Sequence, residues 1–258
     1  MTEPKHGPWR VLEVLHDYLP EHIGGTELIA HQLAKYLQGQ GHEVRVLFTE
    51  RDLAAEEGEL RRGEFEGIPT LELVYQREYS HVREAYAPKL GPQVLRQVIE
   101  EFRPHVVHFQ HLAYFSSKAI QVARSMGCAV VVSLHDFWLL CDAAVLMRPD
   151  ESLCEVGPVA DCGECLRHYP NPDLKPDDPL ADFEWVQIAQ ARRETHRQHL
   201  GMAHRVVTPS LFLRDQFVAA GLLTNESAIP LKTGYPGPIR ALPGVRRGTL
   251  RVGYVGGL

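Results

Sequence analysis

The sequence lacks the features that mark several large classes of protein. No apolar run among its 258 residues reaches the length of a membrane-spanning helix, and the polar N-terminal residues MTEPKHG do not resemble a signal peptide. Basic residues are not in excess, since the formal net charge is -6, so nucleic acid is not expected as a partner. We therefore expect a cytoplasmic protein, and a peripheral contact with the inner face of a membrane remains open.

The glycine fingerprints of many nucleotide-binding proteins are also missing. The first glycine-containing loop reads Gly24-Gly25-Thr26-Glu27, which matches neither the dinucleotide G-x-G-x-x-G pattern nor a P-loop. This absence argues against a nucleotide-sugar epimerase or dehydrogenase. Because the two glycines have no Cβ and lie where a helix begins, a ligand could approach the backbone there, and the helix start would favour a phosphate. Alternatively, the pair forms only a tight turn.

Cysteines are few, and their number, five, is odd, which argues against a closed disulfide framework. Four of them nevertheless fall in one stretch with the spacing C-x12-C-x7-C-x2-C: Cys141, Cys154, Cys162 and Cys165. Four thiolates satisfy a tetrahedral structural zinc site, so we predict such a site in an irregular, helix-poor Cys-rich loop at residues 141–170.

Other interpretations of these cysteines stay open at this stage. They could be four unrelated reduced thiols, or they could hold an iron–sulfur cluster. A redox pair at Cys162 and Cys165 is less well supported, because the sequence shows no helix start there that would lower a thiol pKa. His168 could replace one cysteine as a ligand, and Cys128, which precedes an apolar strand, is expected in the core.

The hydrophobic pattern predicts alternating strands and helices. Apolar residues around Val11 to Leu15 suit a strand buried on both faces, Ile29 to Leu37 follow helical spacing, and Val44 to Phe48 form a second strand. Gly39 and Gly41 can end the helix. This βαβ unit predicts an α/β protein with a Rossmann-like, doubly wound and mostly parallel sheet.

The rest of the chain continues the alternation. Further strands are predicted near residues 64–75 (with a hairpin-like lead-in), 105–109, 129–134, 205–208 and 250–255, and helices near 94–102, 117–125, 181–200 and 211–220. Residues 51–63 are expected to form a surface loop or short helix, and 76–88 an exposed loop.

Polar side chains follow three of these strands. They are His16-Asp17-Tyr18, Gln110-His111 and His135-Asp136-Phe137-Trp138. Open parallel sheets bind ligands beyond the carboxyl ends of their strands, so these clusters predict one shared site. Each cluster alone could equally be a set of satisfied loop residues.

These segments, in this order, resemble the N-terminal half of a family-4 glycosyltransferase with the GT-B fold. The matching motifs are the Gly-Gly-x-Glu loop at Gly24–Glu27, the strand HVVHFQH at 105–111, the His-Asp-Phe-Trp turn at 135–138 and the Pro-Ser turn at 209–210. The resemblance covers nearly the whole chain and implies a retaining glycosyltransferase that uses a nucleotide-sugar donor and needs no catalytic metal.

The resemblance also implies roles for individual residues. His135 would contact the transferred sugar as the catalytic residue, by positioning and charge stabilisation rather than as a general base. Gly24, Gly25 and Glu27 would form a loop for the donor phosphate or the acceptor. The acceptor, which is a saccharide, a lipid or a small molecule, would lie in a pocket formed by four residues: His16, Tyr18, His111 and Asp136.

The last residues lead to an expectation about domains. Residues 1–235 would form the acceptor-binding domain, while 236–258, which end in LRVGYVGGL, would be an interdomain linker and the first strand of a C-terminal donor-binding domain. The chain alone would then be inactive without that domain. A non-catalytic Rossmann-like binding module with a structural zinc loop is the alternative from another class.

Overall fold

The computed structural model describes residues 7–76, 89–141, 143–156, 159–168, 182–232 and 234. The strands within these ranges are β1 (Arg10–Val14), β2 (Glu43–Arg51), β3 (Leu60–Phe65), β4 (Ile68–Tyr75), β5 (Val106–Phe109), β6 (Ala129–Ser133), β7 (Arg205–Thr208) and β8 (Ala228–Pro230). The helices are α1 (Gly25–Gly39), α2 (Leu90–Phe102), α3 (Lys118–Ser125), α4 (Val159–His168), α5 (Asp182–Leu200) and α6 (Leu211–Ala219).

All eight strands join one sheet in the order β3-β4-β2-β1-β5-β6-β7-β8. Every neighbouring pair is parallel except β3 and β4. The predicted Rossmann-like α/β fold with a mostly parallel sheet is therefore confirmed. The order places β1, β5 and β6 side by side, so the residues that follow them lie at one edge of the sheet.

The two faces of the sheet are covered differently. Successive residues of a strand point to opposite faces. On one face, which we call the core face, Leu12, Val107 and Val130 belong to the largest apolar cluster, together with buried residues of α2, α3 and α6. On the other, the α1 face, Val11 packs in a smaller cluster with Ala30 and other α1 and β2 residues.

The hairpin predicted before β4 is present. Glu66 and Gly67 link β3 to β4 with positive φ angles of 47 and 82, a backbone geometry that suits a two-residue hairpin.

β3 is the outermost strand of the described sheet, and its two arginines are held in ion pairs. The Arg61 guanidinium lies 2.8 Å from a carboxylate oxygen of Asp52, and that of Arg62 lies 2.6 Å from one of Glu101.

The boundaries of α1 follow from its sequence. The first i→i−4 hydrogen bond of α1 runs from the Leu28 N–H to Gly24 O, at 3.1 Å. At the other end Gly41 has a φ of 86, which a glycine adopts without strain, and its N–H bonds to Gln38 O. Gly41 thus supplies the expected left-handed residue, whereas Gly39 is the last residue of the helix.

Three predictions of secondary structure were wrong. Residues 51–63 do not form only a surface loop or short helix, because the strand β3 begins at Leu60. The stretch at 141–170 is not helix-poor, because Val159–His168 form α4, whose Leu166 packs with Trp185 and Ala189 of α5. The short strand β8 was missed, since three residues carry too little periodicity to be recognised. The predicted loop at 76–88, apart from residue 76, lies outside the described residues, as do the linker and the terminal strand in 236–258.

Within the described ranges, no helix has the length and apolar character needed to cross a membrane.

Candidate functional site

Polar residues from three neighbouring strands meet at the carboxyl edge of the sheet. The register aligns Val14 of β1 with Phe109 of β5, and Phe109 with Val132 of β6. His16 follows two residues after Val14, His111 two after Phe109, and His135 three after Val132. The order of the strands therefore brings the three predicted histidines to one place.

His16, His111 and Asp136 form a contact cluster. The rings of His16 and His111 lie with their centroids 4.1 Å apart, and His111 Nε2 lies 3.2 Å from an Asp136 carboxylate oxygen. The other Asp136 oxygen accepts from the Trp138 N–H at 2.8 Å. Burial alone would raise the pKa of Asp136, but the hydrogen bonds from His111 and Trp138 lower it below the usual value, so Asp136 is a carboxylate at neutral pH.

His16 is a neutral ring with one unsatisfied nitrogen. Burial, followed by the nearby His111, lowers its pKa to about 3. Its buried Nδ1 has no hydrogen-bond partner among the described residues. An unsatisfied buried polar atom of this kind costs about 1–3 kcal/mol, so the site carries a local cost in stability.

His135 stands at the end of a buried hydrogen-bond chain. The Gln110 amide nitrogen donates to a Glu13 carboxylate oxygen at 2.9 Å, which directs the amide oxygen of Gln110 toward His135. That oxygen lies 2.8 Å from His135 Nε2, so His135 Nε2 must carry the proton and donate. The chain therefore fixes the tautomer and leaves Nδ1 as the acceptor nitrogen of His135.

His135 also remains uncharged near neutral pH. Burial lowers its pKa to about 4, and the nearby His111 adds to this effect. A group with this pKa is a weak base at pH 7, so the ring is suited to accepting a hydrogen bond rather than to removing a proton.

Glu13 and His108, which the sequence analysis did not select, hold this arrangement together. Glu13 is fully buried in β1, and its second oxygen lies 3.2 Å from His108 Nδ1. His108 Nε2 lies 2.9 Å from Ser133 Oγ on β6. A signal for this network was available, because Glu13 is a charged residue in the middle of an apolar strand and buried charges need partners.

A cavity of about 250 Å³ opens beside these residues on the α1 face. His135, Gln110 and His108 line it from the sheet, and Leu28, Gln32 and Leu33 line it from α1. Ile29, Leu134, Val207 and Leu231 add further apolar wall, and this mixture of apolar surface with a few polar groups is common for sites that bind small molecules. The cavity lies at the end of β5 and β6, where the parallel-sheet rule places a ligand.

The two glycines of the predicted loop differ in their surroundings. A Cβ on Gly24 would lie 2.3 Å from a Glu27 carboxylate oxygen, whereas a Cβ on Gly25 would meet no atom within 4 Å. Gly24 caps α1, and the Glu27 side chain three residues on folds back over it. The Glu27 carboxyl is buried, which raises its pKa, although backbone hydrogen bonds at Glu27 and Gly24 oppose that shift.

These placements divide the predicted loop into a structural part and an open part. Gly24 and Glu27 form the cap of the helix, so they act on a ligand only indirectly. Gly25 is exposed, and the space above it is free. Only Gly25 therefore offers the bare backbone that a phosphate or a sugar needs for close approach.

Tyr18 does not belong to the site. It is fully buried against Phe48 and Phe65, and its hydroxyl lies 2.8 Å from His31 Nδ1. Burial also raises the pKa of the Tyr18 hydroxyl above its usual value. The expectation that Tyr18 lines an acceptor pocket is corrected, because the backbone after His16 turns this side chain into the core beneath α1.

Side chains of α5 hold the turn that carries His135 and Asp136 in position. Arg192 donates to Trp138 O, and His196 Nδ1 lies 2.9 Å from Leu139 O. The Trp138 ring stacks on the His196 ring with centroids 5.6 Å apart. These contacts hold the turn in place, and no sequence motif had indicated them.

Two groups of residues have ligand types suited to a metal. His16, Asp17 and Glu27 place three potential ligand atoms within 4.8 Å of one another, and they are the only such group in the described part of the chain. The four predicted cysteines instead line a second cavity next to the site.

Comparison with known proteins gives distant similarities. The chain is similar to an uncharacterized 42.6 kDa protein in the cps region of Klebsiella pneumoniae, with 25% identity over 48% of the chain and 35% of that protein. The alignment thus spans about a third of this relative.

Solved structures with similarity to the chain include two that contain a fluorinated UDP-glucose. One is described as trehalose-6-phosphate from E. coli bound with UDP-2-fluoro glucose (10% identity, TM-score 0.42, 82% of this chain and 42% of that one). The other is Phytolacca americana UGT2 complexed with UDP-2fluoro-glucose and pterostilbene (10% identity, TM-score 0.42, 89% and 55%). The Bordetella bronchiseptica enzyme WbmG, in complex with NAD and UDP, gives a TM-score of 0.32 at 13% identity over 80% of this chain and 53% of that one.

The decisive match is to a family. The model of Glycosyltransferase Family 4 matches residues 23–226. This range includes α1, the strands β2 to β7, and two of the three predicted histidines, His111 and His135. Because this range covers most of the chain, the protein belongs to Glycosyltransferase Family 4.

Proposed function

We propose that the chain is the acceptor-binding half of a retaining glycosyltransferase that transfers a sugar from a nucleotide-sugar donor to an acceptor. The observation that carries the proposal is the fixed, uncharged His135 at the carboxyl edge of the sheet, beside an open cavity. The family assignment supports the reaction class, and the geometry supports the roles of the residues.

His135 positions the sugar in this proposal. Its Nε2–H is committed to Gln110, so Nδ1 accepts a hydrogen bond from a sugar hydroxyl. A pre-oriented acceptor of this kind costs no reorganisation during the reaction, which is how polar groups stabilise a transition state effectively. With a pKa of about 4, His135 does not act as the general base.

Gly25 and the start of α1 face the leaving group. As the bond from the sugar to the diphosphate breaks, negative charge develops on the diphosphate. The amides of the first helical turn carry partial positive charge, and exposed Gly25 lets the diphosphate approach them. No metal takes part in this step of the proposal.

His16, His111 and Asp136 form the acceptor side. The partly exposed His16 ring lines this side, and Asp136 holds the His111 ring against His16. An acceptor with hydroxyl groups fits this cluster. We further infer that a second domain, in cis, supplies most of the donor site, so the 258-residue chain alone should show no turnover.

The test is turnover of the complete enzyme with a panel of nucleotide sugars. His135→Ala should lower turnover by roughly a hundredfold or more, because a hydrogen bond that strengthens in the transition state is lost. The melting temperature should change little. His42→Ala is the matched control, since His42 lies before β2 at the opposite edge of the sheet, and it should keep full activity.

A second variant tests the fixed tautomer. Gln110→Leu removes the acceptor of the His135 Nε2–H, so Gln110 acts as a positioning residue. Nitrogen NMR of the His135 ring should show one tautomer in the parent and a mixture in the variant, with a parallel loss of turnover. Full turnover of His135→Ala, or a product of inverted anomeric configuration, would refute the proposed mechanism.

A further inference from the structure

All four cysteines of the predicted cluster line one small cavity. It has a volume of about 40 Å³ and lies beside the turn that carries His135. The sulfurs come from three separate stretches of chain: Cys141, Cys154, and the pair Cys162 and Cys165. All five cysteines of the protein are free thiols in the structure. Convergence of distant thiols on one cavity is not expected of four unrelated residues.

Local backbone structure sets the position of each thiol. The Cys141 N–H donates to Phe137 O at 2.6 Å, which closes the turn after the strand β6. The Cys154 N–H donates to Leu146 O at 2.8 Å, next to the bridge between Met147 and Leu153. The chain therefore folds back on itself so that Cys154 approaches Cys141.

The other two thiols lie on α4. Cys162 and Cys165 are three residues apart, so they occupy the same face of the helix, one turn apart. Their helix packs along α5, where Leu166, Trp185 and Ala189 form a small apolar cluster. The helix thus presents a C-x-x-C pair to the cavity from a supported position.

The remaining walls suit a negatively charged metal–thiolate group. They are apolar at Leu140, Leu146 and Val156. Arg193 Nη2 donates to Cys162 Sγ at 3.3 Å, and Arg148, 3.4 Å from Asp161, also lines the cavity. Four thiolates and one divalent ion carry a net charge of −2, and with Arg148, Arg193 and Asp161 the cavity would carry −1.

We propose that these four thiols bind one structural zinc ion. Each ligand would be a thiolate about 2.3 Å from the metal in a closed tetrahedral site, so binding of Zn²⁺ releases the proton of every thiol that ionises. Only His16, Asp17 and Glu27 bring three ligand atoms within 4.8 Å of each other among the described residues, so the sulfurs must move closer together when the ion binds.

A single zinc ion and an iron–sulfur cluster can use the same four thiolates, so bound metal and visible absorption distinguish the two. Cys162 and Cys165 lie on a continuous helix, and their thiols are joined by other cysteines in the same cavity, which a simple redox pair would not require.

The metal would have a structural effect on the catalytic turn. Cys141 closes the segment that begins with His135 and Asp136, and α5 holds the same segment through Arg192 and His196. Zinc would connect this segment to α4 as well. The sheet has its own large core, so it should remain folded without the metal.

Elemental analysis of the full chain, purified under reducing conditions without added metal, tests the proposal. We expect about one zinc per chain, and a fall to ~0.1 or less in Cys141→Ser and Cys165→Ser. Cys128→Ala is the control, because Cys128 is buried in the core with its Sγ near Pro104 O, away from this cavity, and it should retain the zinc.

A second measurement uses the parent protein and does not depend on the folding of a variant. A mercurial reagent should release the zinc in proportion to the four thiols modified, and cobalt added to the metal-free protein should show the absorption of a tetrahedral thiolate site. Absence of metal in a folded chain, bound iron with visible absorption, or a disulfide between any of the four cysteines would overturn the proposal.

Discussion

The two faces of the central strands have the same backbone but different chemistry. On the core face, Val107 and Phe109 of β5 are fully buried among apolar side chains. On the α1 face, the residue between them is His108, bonded to buried Glu13 and to Ser133. The alternation of a single strand thus separates the residues that stabilise the fold from those that organise a site.

The comparison predicts that substitutions at two adjacent residues of β5 will lower stability to different extents. Phe109→Ala, which leaves a cavity in the large core, should lower the free energy of unfolding by about 3–5 kcal/mol. His108→Ala should cost less, roughly 1–3 kcal/mol, because it removes one of the partners of Glu13. Urea unfolding measures both.

The same pair should show the reverse order in activity. In the complete enzyme, His108→Ala should reduce turnover per folded molecule, while Phe109→Ala should leave it nearly intact at low temperature. Equal losses of unfolding free energy and of turnover in the two variants would mean that the α1 face only stabilises the fold.

The two buried histidines at the carboxyl edge of the sheet should also make stability depend on pH. The pKa of His135 is about 4 and that of His16 about 3 in the folded chain, against 6.5 for an ordinary histidine. Below about pH 6.5 the unfolded chain therefore binds protons that the folded chain does not, so stability falls as the pH decreases toward 4. The loss should reach at most about 1.4 kcal/mol per pH unit for each histidine.

A neutral replacement isolates this contribution. His135→Gln cannot titrate, so its stability should fall less steeply between pH 6.5 and pH 4 than that of the parent. The measurement is the urea midpoint at several pH values. Parallel curves for the two proteins would show that His135 is not held uncharged by burial.

Substitution of the two loop glycines should give the smallest changes in stability, and these changes should differ between the two positions. Gly24→Ala should lower stability by about 1 kcal/mol, because the new Cβ displaces the Glu27 carboxylate from the helix cap. Gly25→Ala should leave stability unchanged or raise it by up to about 1 kcal/mol, since alanine favours a helix.

Ligand binding should rank these variants in the opposite order. Gly25→Ala blocks the open backbone that a diphosphate would approach, so the complete enzyme should bind its nucleotide sugar more weakly, as measured by calorimetry. A Gly25→Ala enzyme with unchanged binding would mean that the ligand does not approach this loop.

Patterns of local origin were predictable from the sequence. The βαβ unit and the order of strands and helices follow from hydrophobic periodicity, which depends on neighbours along the chain. The positions of His16, His111 and His135 followed as well, because each directly succeeds a buried strand and parallel strands end at one edge. The roles of these residues in catalysis stay predictions.

Contacts between distant segments were not predictable in the same way. Nothing near Tyr18 in sequence shows that His31 and Phe65 will enclose it, and nothing near Trp138 shows that Arg192 of α5 will reach its carbonyl. The helix α4 was missed because glycine and cysteines interrupt its pattern, while packing on α5 stabilises it. Tertiary contacts decided these cases rather than local preference.

The charged outer strand β3 has a consequence for association between molecules. An edge strand exposes unpaired amides and carbonyls, onto which a strand from another copy can add and begin an aggregate. Here an added strand would lie beside Arg61 and Arg62, whose guanidinium groups pair with Asp52, Glu72 and Glu101. Charged side chains of this kind on an edge strand oppose growth of a β-aggregate.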